Sequence, residues 1–282
     1  MSKVKTGFRD IDDLMDKGVS MERMLGINES FPFDEWIGSN LKRYDMIKAD
    51  RYFKENLRNV LENGSLDENP RPVWKDGVKA HTKFITQVFE TYDISKGEFP
   101  IPTLRNTAIK TGIREVFWIF QKQTSDLSVA EDMGVFWWKV EGTNNIGMRY
   151  GATVARHDLI NKLLNGLRDN PFGRRHIMNL WQEEDLKEVG GLDPCAYETL
   201  WTCRRVGDDI YIDMTLIQRS SDYITAGYIN KIQYVALMMM AASHLGYKVG
   251  VFAHMVQNLH IYDRHVGAAQ ELLRTEVLGF QT

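Results

Sequence analysis

With 282 residues, 43% of them hydrophobic and 26% charged, the chain is long enough to bury one large core or two small ones. Its formal net charge of −3 carries no broad signature for a nucleic-acid polymer or a membrane surface, so anionic ligands are expected at local arginine clusters, which favours a small phosphorylated substrate. Two cysteines, Cys195 and Cys203, make no disulfide framework, and the opening residues do not read as a secretory signal, which points to a reducing cytoplasmic setting.

Residues 1–46 are mixed and read as an N-terminal appendage with no assigned role, in which Asp10 to Met15 suits a short helix and Phe31-Pro32-Phe33 a turn. From Asp45 to Asn63 the pattern is helical, with Gly64 placed as a C′ glycine. β-Branched and aromatic residues predict strands between Val73 and Phe99, with turns near Lys75-Asp76-Gly77 and Ser95-Lys96-Gly97. Helices are predicted near 107–122, 156–168, 228–246 and 262–274, and strands near 175–181, 198–206, 210–217 and 251–258. Gly207-Asp208-Asp209 marks a hairpin between two of those strands. The most apolar stretch, Tyr234 to Ala242, is too short to span a bilayer and reads as a core helix. No Gly/Ser linker, low-complexity tract or internal repeat divides the chain. The expectation is an α+β fold with a substantial sheet, in one catalytic domain over 47–282 behind the appendage.

Cys195 lies in Asp193-Pro194-Cys195-Ala196-Tyr197. A thiol reacts as thiolate and so needs a nearby positive charge, although the commoner fate of a lone cysteine is burial in a core. Further on, Gln218-Arg219-Ser220-Ser221-Asp222 supplies an arginine that can offer such a charge and hold a phosphate through its fork of donors, and Asn230 supplies an amide. Arg174 and Arg175 follow a turn and precede an apolar run. In a strand they point to opposite faces, one to a ligand and the other to a partner chain or the same anion, unless they are an ordinary solvated pair. No G-x-x-x-x-G-K-[ST] or G-x-G-x-x-G stretch is present, so arginines would have to hold a phosphate.

Glu115 sits in a largely buried predicted helix, where desolvation would raise its pKa and suit it to proton transfer near neutrality. Pairing with Arg114 or Lys110 on an exposed stripe is the alternative. His260-Ile261-Tyr262 puts an imidazole and a phenol on one face of an extended segment, as donors to a sugar hydroxyl would be. His260 and His265 lack the helical i, i+4 zinc spacing, and neither C-x-x-C nor H-E-x-x-H occurs, so no metal is expected.

In order and combination, these motifs from about Lys48 to Glu276 resemble the thymidylate synthase family, in particular a divergent form from low-GC Gram-positive bacteria and their phages. The resemblance implies a large mixed sheet packed with helices, one sheet face forming a homodimer interface. It implies reductive C5-methylation of dUMP to dTMP, with 5,10-methylenetetrahydrofolate as co-substrate and Cys195 adding to C6 of the uracil ring. By the same resemblance Arg219 favours the thiolate and, with Ser220 and the loop residue Arg71, binds the nucleotide phosphate, while Arg174 and Arg175 reach it from the second subunit. Asn230 pairs with the N3 and O4 edge of the base, and Glu115, helped by Tyr150, moves protons at O4 and C5 through ordered water. His260 and Tyr262 hold the ribose 3′-hydroxyl, and Trp137 and Asp222 meet the pterin. Asn230 marks a uracil reader, since aspartate there suits cytosine in the related dCMP hydroxymethylases.

Three features depart from the family pattern. Ala196 follows the nucleophile where most members have histidine, although the divergent bacterial branch shares the alanine. Ala226-Gly227 and Tyr228 replace the usual Leu-Gly-Leu-Pro-Phe wall, which predicts a differently shaped pterin pocket. The sequence stops at Gln281-Thr282, where members continue to a C-terminal segment that closes over the folate and excludes water. Without that closure water would intercept the exocyclic methylene, so a dUMP C5-hydroxymethylase and a catalytically impaired nucleotide-binding protein stand as alternatives.

Overall fold

The computed structural model describes residues 46–138, 142–188 and 190–276, and a seven-stranded mixed sheet is its frame. Helix α1 (Lys48–Asn63) forms because Phe53, Leu57 and Val60 recur at helical spacing, and all three are fully buried. Gly64 ends it in an extended conformation (φ −67°), not the left-handed one expected of a C′ glycine; glycine is required because a Cβ would collide with the Val60 carbonyl oxygen.

Strand β1 (Ser65–Leu66) and the longer β2 (Thr82–Asp93) follow. The strands expected from Val73 to Phe99 reduce to β2: the Val73–Lys79 bridge closes a loop around Gly77, and Ile94–Lys96 is a 3-10 turn ended by Gly97 at φ 76°. Helix α2 (Ile109–Val116) passes into a π-helical turn over Phe117–Lys122, so the helix expected over 107–122 is of two kinds. The wider turn lets Trp118, Ile119 and Phe120, three in a row, all face the core. Helix α3 (Leu127–Asp132) is capped by Asp126, which accepts from Ser128 N at 2.8 Å. Helices α4 (Gly151–His157) and α5 (Leu159–Asp169) replace the one predicted over 156–168, because Asp158 takes φ 51° and breaks the run.

Strand β3 (His176–Asn179), helix α6 (Glu183–Leu186), and strands β4 (Ala196–Val206), β5 (Asp209–Gln218) and β6 (Ser221–Asp222) come next, with Gly207 at φ 60° in the predicted hairpin. The apolar helix α7 (Ile229–Leu245) is buried around most of its circumference, as its composition predicts. Strand β7 (Lys248–Tyr262) and helix α8 (Val266–Arg274) complete the described chain; a 3-10 turn at Asp263–His265 shortens the helix expected over 262–274.

The strand order is β1-β2-β7-β5-β4-β3, with β6 beside β7. β7 runs antiparallel to β2 and parallel to β5, which makes the sheet mixed. On one face Trp201, Cys203, Ile212, Met214 and Leu216 enter the core, while on the other Phe89, Ile177 and Leu200 stay 59%, 51% and 37% exposed. Cys203 is thus a core thiol. The expected helix at Asp10 to Met15, the turn at Phe31 to Phe33 and the last six positions of the chain lie outside the described residues.

Candidate active site

Cys195 stands immediately before β4, half-buried, with its backbone N–H donating to the Tyr150 hydroxyl at 3.3 Å. The β4–β5 ladder carries on past the strand ends, Arg219 N donating to Cys195 O at 2.9 Å, so the residue after β5 is delivered beside the thiol. The Arg219 side chain then closes on the same loop, Nε donating to Pro194 O and Nη2 to Asp193 O, each at 2.9 Å. Its guanidinium lies 5.6 Å from the Trp181 ring centroid. Burial pushes the Cys195 thiol up from its ordinary range, Arg219 and Arg71 pull it down, and Asp193 adds to the push. Arg219 therefore favours the thiolate as expected, yet burial outweighs it.

Glu115, on α2, is 5% exposed. Its carboxylate accepts from Trp138 Nε1 at 2.6 Å, Trp137 Nε1 at 2.8 Å and Gln233 Nε2 at 2.7 Å; no pairing with Arg114 or Lys110 occurs among the described residues. Burial raises its pKa to about 7, against the lowering pull of those three donors. Trp137 is 42% exposed while its indole N–H is committed to this carboxylate. Tyr150 links the two centres: its ring meets Trp138 edge-on at 5.1 Å, and its hydroxyl serves Cys195. Burial keeps that phenol protonated, well above the ordinary tyrosine range. Its backbone, at φ 47° and ψ −108°, is one of four non-glycine residues with positive φ among those described.

Asn230, the second residue of α7, is half-buried, and its carboxamide has no hydrogen-bond partner among the described residues. His260 and Tyr262 share one face at the end of β7, ring centroids 5.2 Å apart and nearly perpendicular. His260 Nδ1 meets Asn258 Oδ1 at 3.0 Å, and burial lowers the imidazole pKa, so the ring is neutral near pH 7. Cys195, Asp222 and Arg71 all act electrostatically on Tyr262, which sets these groups near one another around its ring. Arg71 is exposed on the loop that packs Trp74 against Tyr262 at 5.6 Å and donates from Trp74 to Asp263 at 3.1 Å. Ser220 is held through its carbonyl, which accepts from Gln218 Nε2 at 2.8 Å, and Asp222 accepts from Thr225 N at 3.2 Å.

Arg174 and Arg175 are not brought to this group. They are exposed in the turn before β3, not on opposite faces of a strand, and line a separate hollow of about 400 Å³ with Asn170, Phe172 and Gly173. Sequence reasoning missed Trp138, Gln233 and the buried Ser221 hydroxyl, which has no hydrogen-bond partner among the described residues. Gln233 carried a signal, a polar side chain in an otherwise apolar helix. Among the described residues, no three His, Cys, Asp or Glu side chains are grouped to hold a metal ion, and no helix is long and apolar enough to cross a membrane.

Comparison with known proteins identifies the family. The family model described as thymidylate synthase matches residues 51–281. A thymidylate synthase from Streptococcus suis is 52% identical over 233 residues, covering 81% of this chain and 84% of that protein. One from Streptococcus thermophilus is 51% identical over 242 residues, covering 82% and 85%. Among solved structures, the thermostable thymidylate synthase A from Bacillus subtilis superposes with a TM-score of 0.74 at 30% identity, covering 81% of this chain and 84% of that one. A match over so much of the chain, at such identity and on the same fold, means that the chain belongs to the thymidylate synthase family.

Proposed function

We propose that Cys195 is the nucleophile through which this chain carries out the family's reaction. Thymidylate synthases are methyltransferases that convert dUMP to dTMP; they bind dUMP and folate and are typically homodimers. The observation that carries the assignment is the convergence of Arg219 and Arg71 on a half-buried thiol whose backbone is held by Tyr150, next to a buried carboxyl that titrates at about 7.

Uracil is a poor carbon nucleophile until a group adds at C6. The Cys195 thiolate forms the S–C6 bond, and the displaced electron pair moves to C5 and O4. Charge developing on O4 needs donors already in place, and Asn230 can turn an N–H toward O4 and its oxygen toward N3–H. Glu115, present in both ionisation states near neutrality, delivers a proton to O4 and takes one from C5 through water, with the protonated Tyr150 holding the nucleophile loop. When the product forms, the S–C6 bond breaks and the thiolate is regenerated.

His260 and Tyr262 hold the ribose 3′-hydroxyl. Arg71, Ser220 and the Nη1 of Arg219 that the loop leaves unused bind the phosphate, with Arg174 and Arg175 of a second copy completing the cluster. The apolar sheet face around Phe89, Ile177 and Leu200 is the surface on which that copy docks. 5,10-Methylenetetrahydrofolate supplies the one-carbon unit and the hydride that makes it a methyl group. The residues fit it: the exposed ring of Trp137 and the 64%-exposed Phe136 offer flat apolar surface beside Glu115, and Asp222 offers a carboxylate to pterin N–H groups. A reducing cytoplasmic location suits the two free cysteines.

Incubation with dUMP and methylenetetrahydrofolate should yield dTMP and dihydrofolate, read by mass spectrometry and absorbance, and Cys195→Ala should abolish both. 5-Hydroxymethyl-dUMP without dihydrofolate would replace this reading with the hydroxymethylase. Binding of dUMP without turnover in any form would replace it with the impaired binding protein.

A further inference from the structure

We propose that Arg149 is a positioning residue for the nucleophile: it fixes the segment that leads to Cys195 and partly compensates the Asp193 carboxylate, so that this charge disfavours the thiolate less than it would unpaired. The inference rests on Cys195 being the nucleophile.

Arg149 is 4% exposed, unusual for an arginine, and nothing in the reaction uses it. All five of its N–H groups are engaged: Nε with Asp193 Oδ1 at 3.0 Å, Nη1 with Met148 O at 3.0 Å and Asp185 O at 2.7 Å, and Nη2 with Leu186 O at 3.2 Å and Glu188 O at 3.3 Å. Gly190 lets the loop close on it, since a Cβ there would come within 3.4 Å of the guanidinium carbon and 2.9 Å of Ile146 O. The next residue, Tyr150, accepts from Cys195 N, so positions 149 and 150 grip the nucleophile loop at Asp193 and Cys195 together.

The groups that face the thiol are Arg219 from the end of β5, Arg71 from the loop before β2, Tyr262 from the end of β7, Tyr150 from the start of α4 and Asp193 from its own loop. Asp193 is the carboxylate among them, and Arg149 is its ion-pair partner. Arg149 thus acts on the thiol through Asp193, by geometry and by charge.

The test follows alkylation of Cys195 by iodoacetamide against pH, read on the Cys195 peptide by mass spectrometry. Arg149→Met should raise the midpoint by about half to one pH unit, slowing alkylation at pH 7 by roughly three- to tenfold. Asp193→Asn should lower the midpoint, and in that background Arg149→Met should no longer raise it above wild type. Arg149→Lys keeps the charge but loses the fork; it should leave the midpoint near wild type while kcat falls about tenfold and KM for dUMP changes little. An unmoved midpoint in Arg149→Met, or a rise above wild type that persists with Asp193→Asn, overturns the inference. If Arg149→Met does not fold, Asp193→Asn decides alone, and a midpoint unmoved or raised overturns it. Failure of the wild type to form a Cys195 adduct with a fluorinated dUMP analogue and methylenetetrahydrofolate would instead remove the nucleophile assignment itself.

Discussion

Glu115 is a carboxyl whose proposed role in proton transfer rests on burial. Its pKa rises from 4.5 in the ordinary state to about 7 in the folded chain, so folding favours the protonated form. The associated stability is present below 4.5 and is lost as pH rises through 7, at most about 3 kcal/mol for a shift of this size. Glu115→Gln, which cannot ionise, should flatten that part of the pH dependence between 5 and 8 in urea unfolding and lower kcat by about a hundredfold or more. Identical unfolding profiles for variant and wild type would refute the burial argument. The burial itself was legible, because the apolar residues around Glu115 mark a core helix. Its donors were not, since Trp138 and Gln233 lie 23 and 118 positions away in sequence. The net sign at Cys195 was equally hidden: a nearby arginine can be read from a motif, but the desolvation that outweighs it is a property of the packed loop.

At the level of elements, strand alternation and apolar composition made β4, β5 and α7 readable, whereas the breaks were not. Nothing in the residue type of Asp158 demands its φ of 51°, and the π-helical turn after Val116 depends on three bulky residues finding one core. The tie between α7 and β2 was also invisible. Lys231 and Glu90, both essentially fully buried, form an ion pair, and Glu90 also accepts from Tyr92 at 2.6 Å and Asn56 at 2.8 Å. Burial lowers the Lys231 pKa while Glu90 holds it up. Lys231→Met should therefore cost about 3–5 kcal/mol in denaturant unfolding, because it strands a buried carboxylate, and pairing it with Glu90→Met should recover part of that loss. A single variant as stable as wild type would show that the pair does not fasten α7. Asn230 is the neighbouring residue, so the same variant should also weaken dUMP binding.

For the whole molecule, the sequence announced an α+β chain with a sheet but not the strand order, in which the last strand, β7, inserts between β2 and β5. Such pairings span most of the chain and leave no local mark. The apolar outer face is where the molecular prediction belongs: Leu200→Glu, opposite Ile177 in the β3–β4 ladder, should give a monomer by sedimentation. It should also raise KM for dUMP at least about tenfold as the partner's arginines are lost. A dimer that persists with unchanged KM would move the interface elsewhere.

Arg219 grips the Cys195 loop by the main-chain oxygens of Asp193, Pro194 and Cys195 and not by their side chains. Every amino acid presents that same carbonyl, so this clasp does not depend on which side chains stand at 193 and 194, whereas the Arg149 ion pair does depend on the carboxylate of Asp193. The loop is thus fastened twice, once by a contact indifferent to side-chain identity and once by a contact that a substitution at 193 would release.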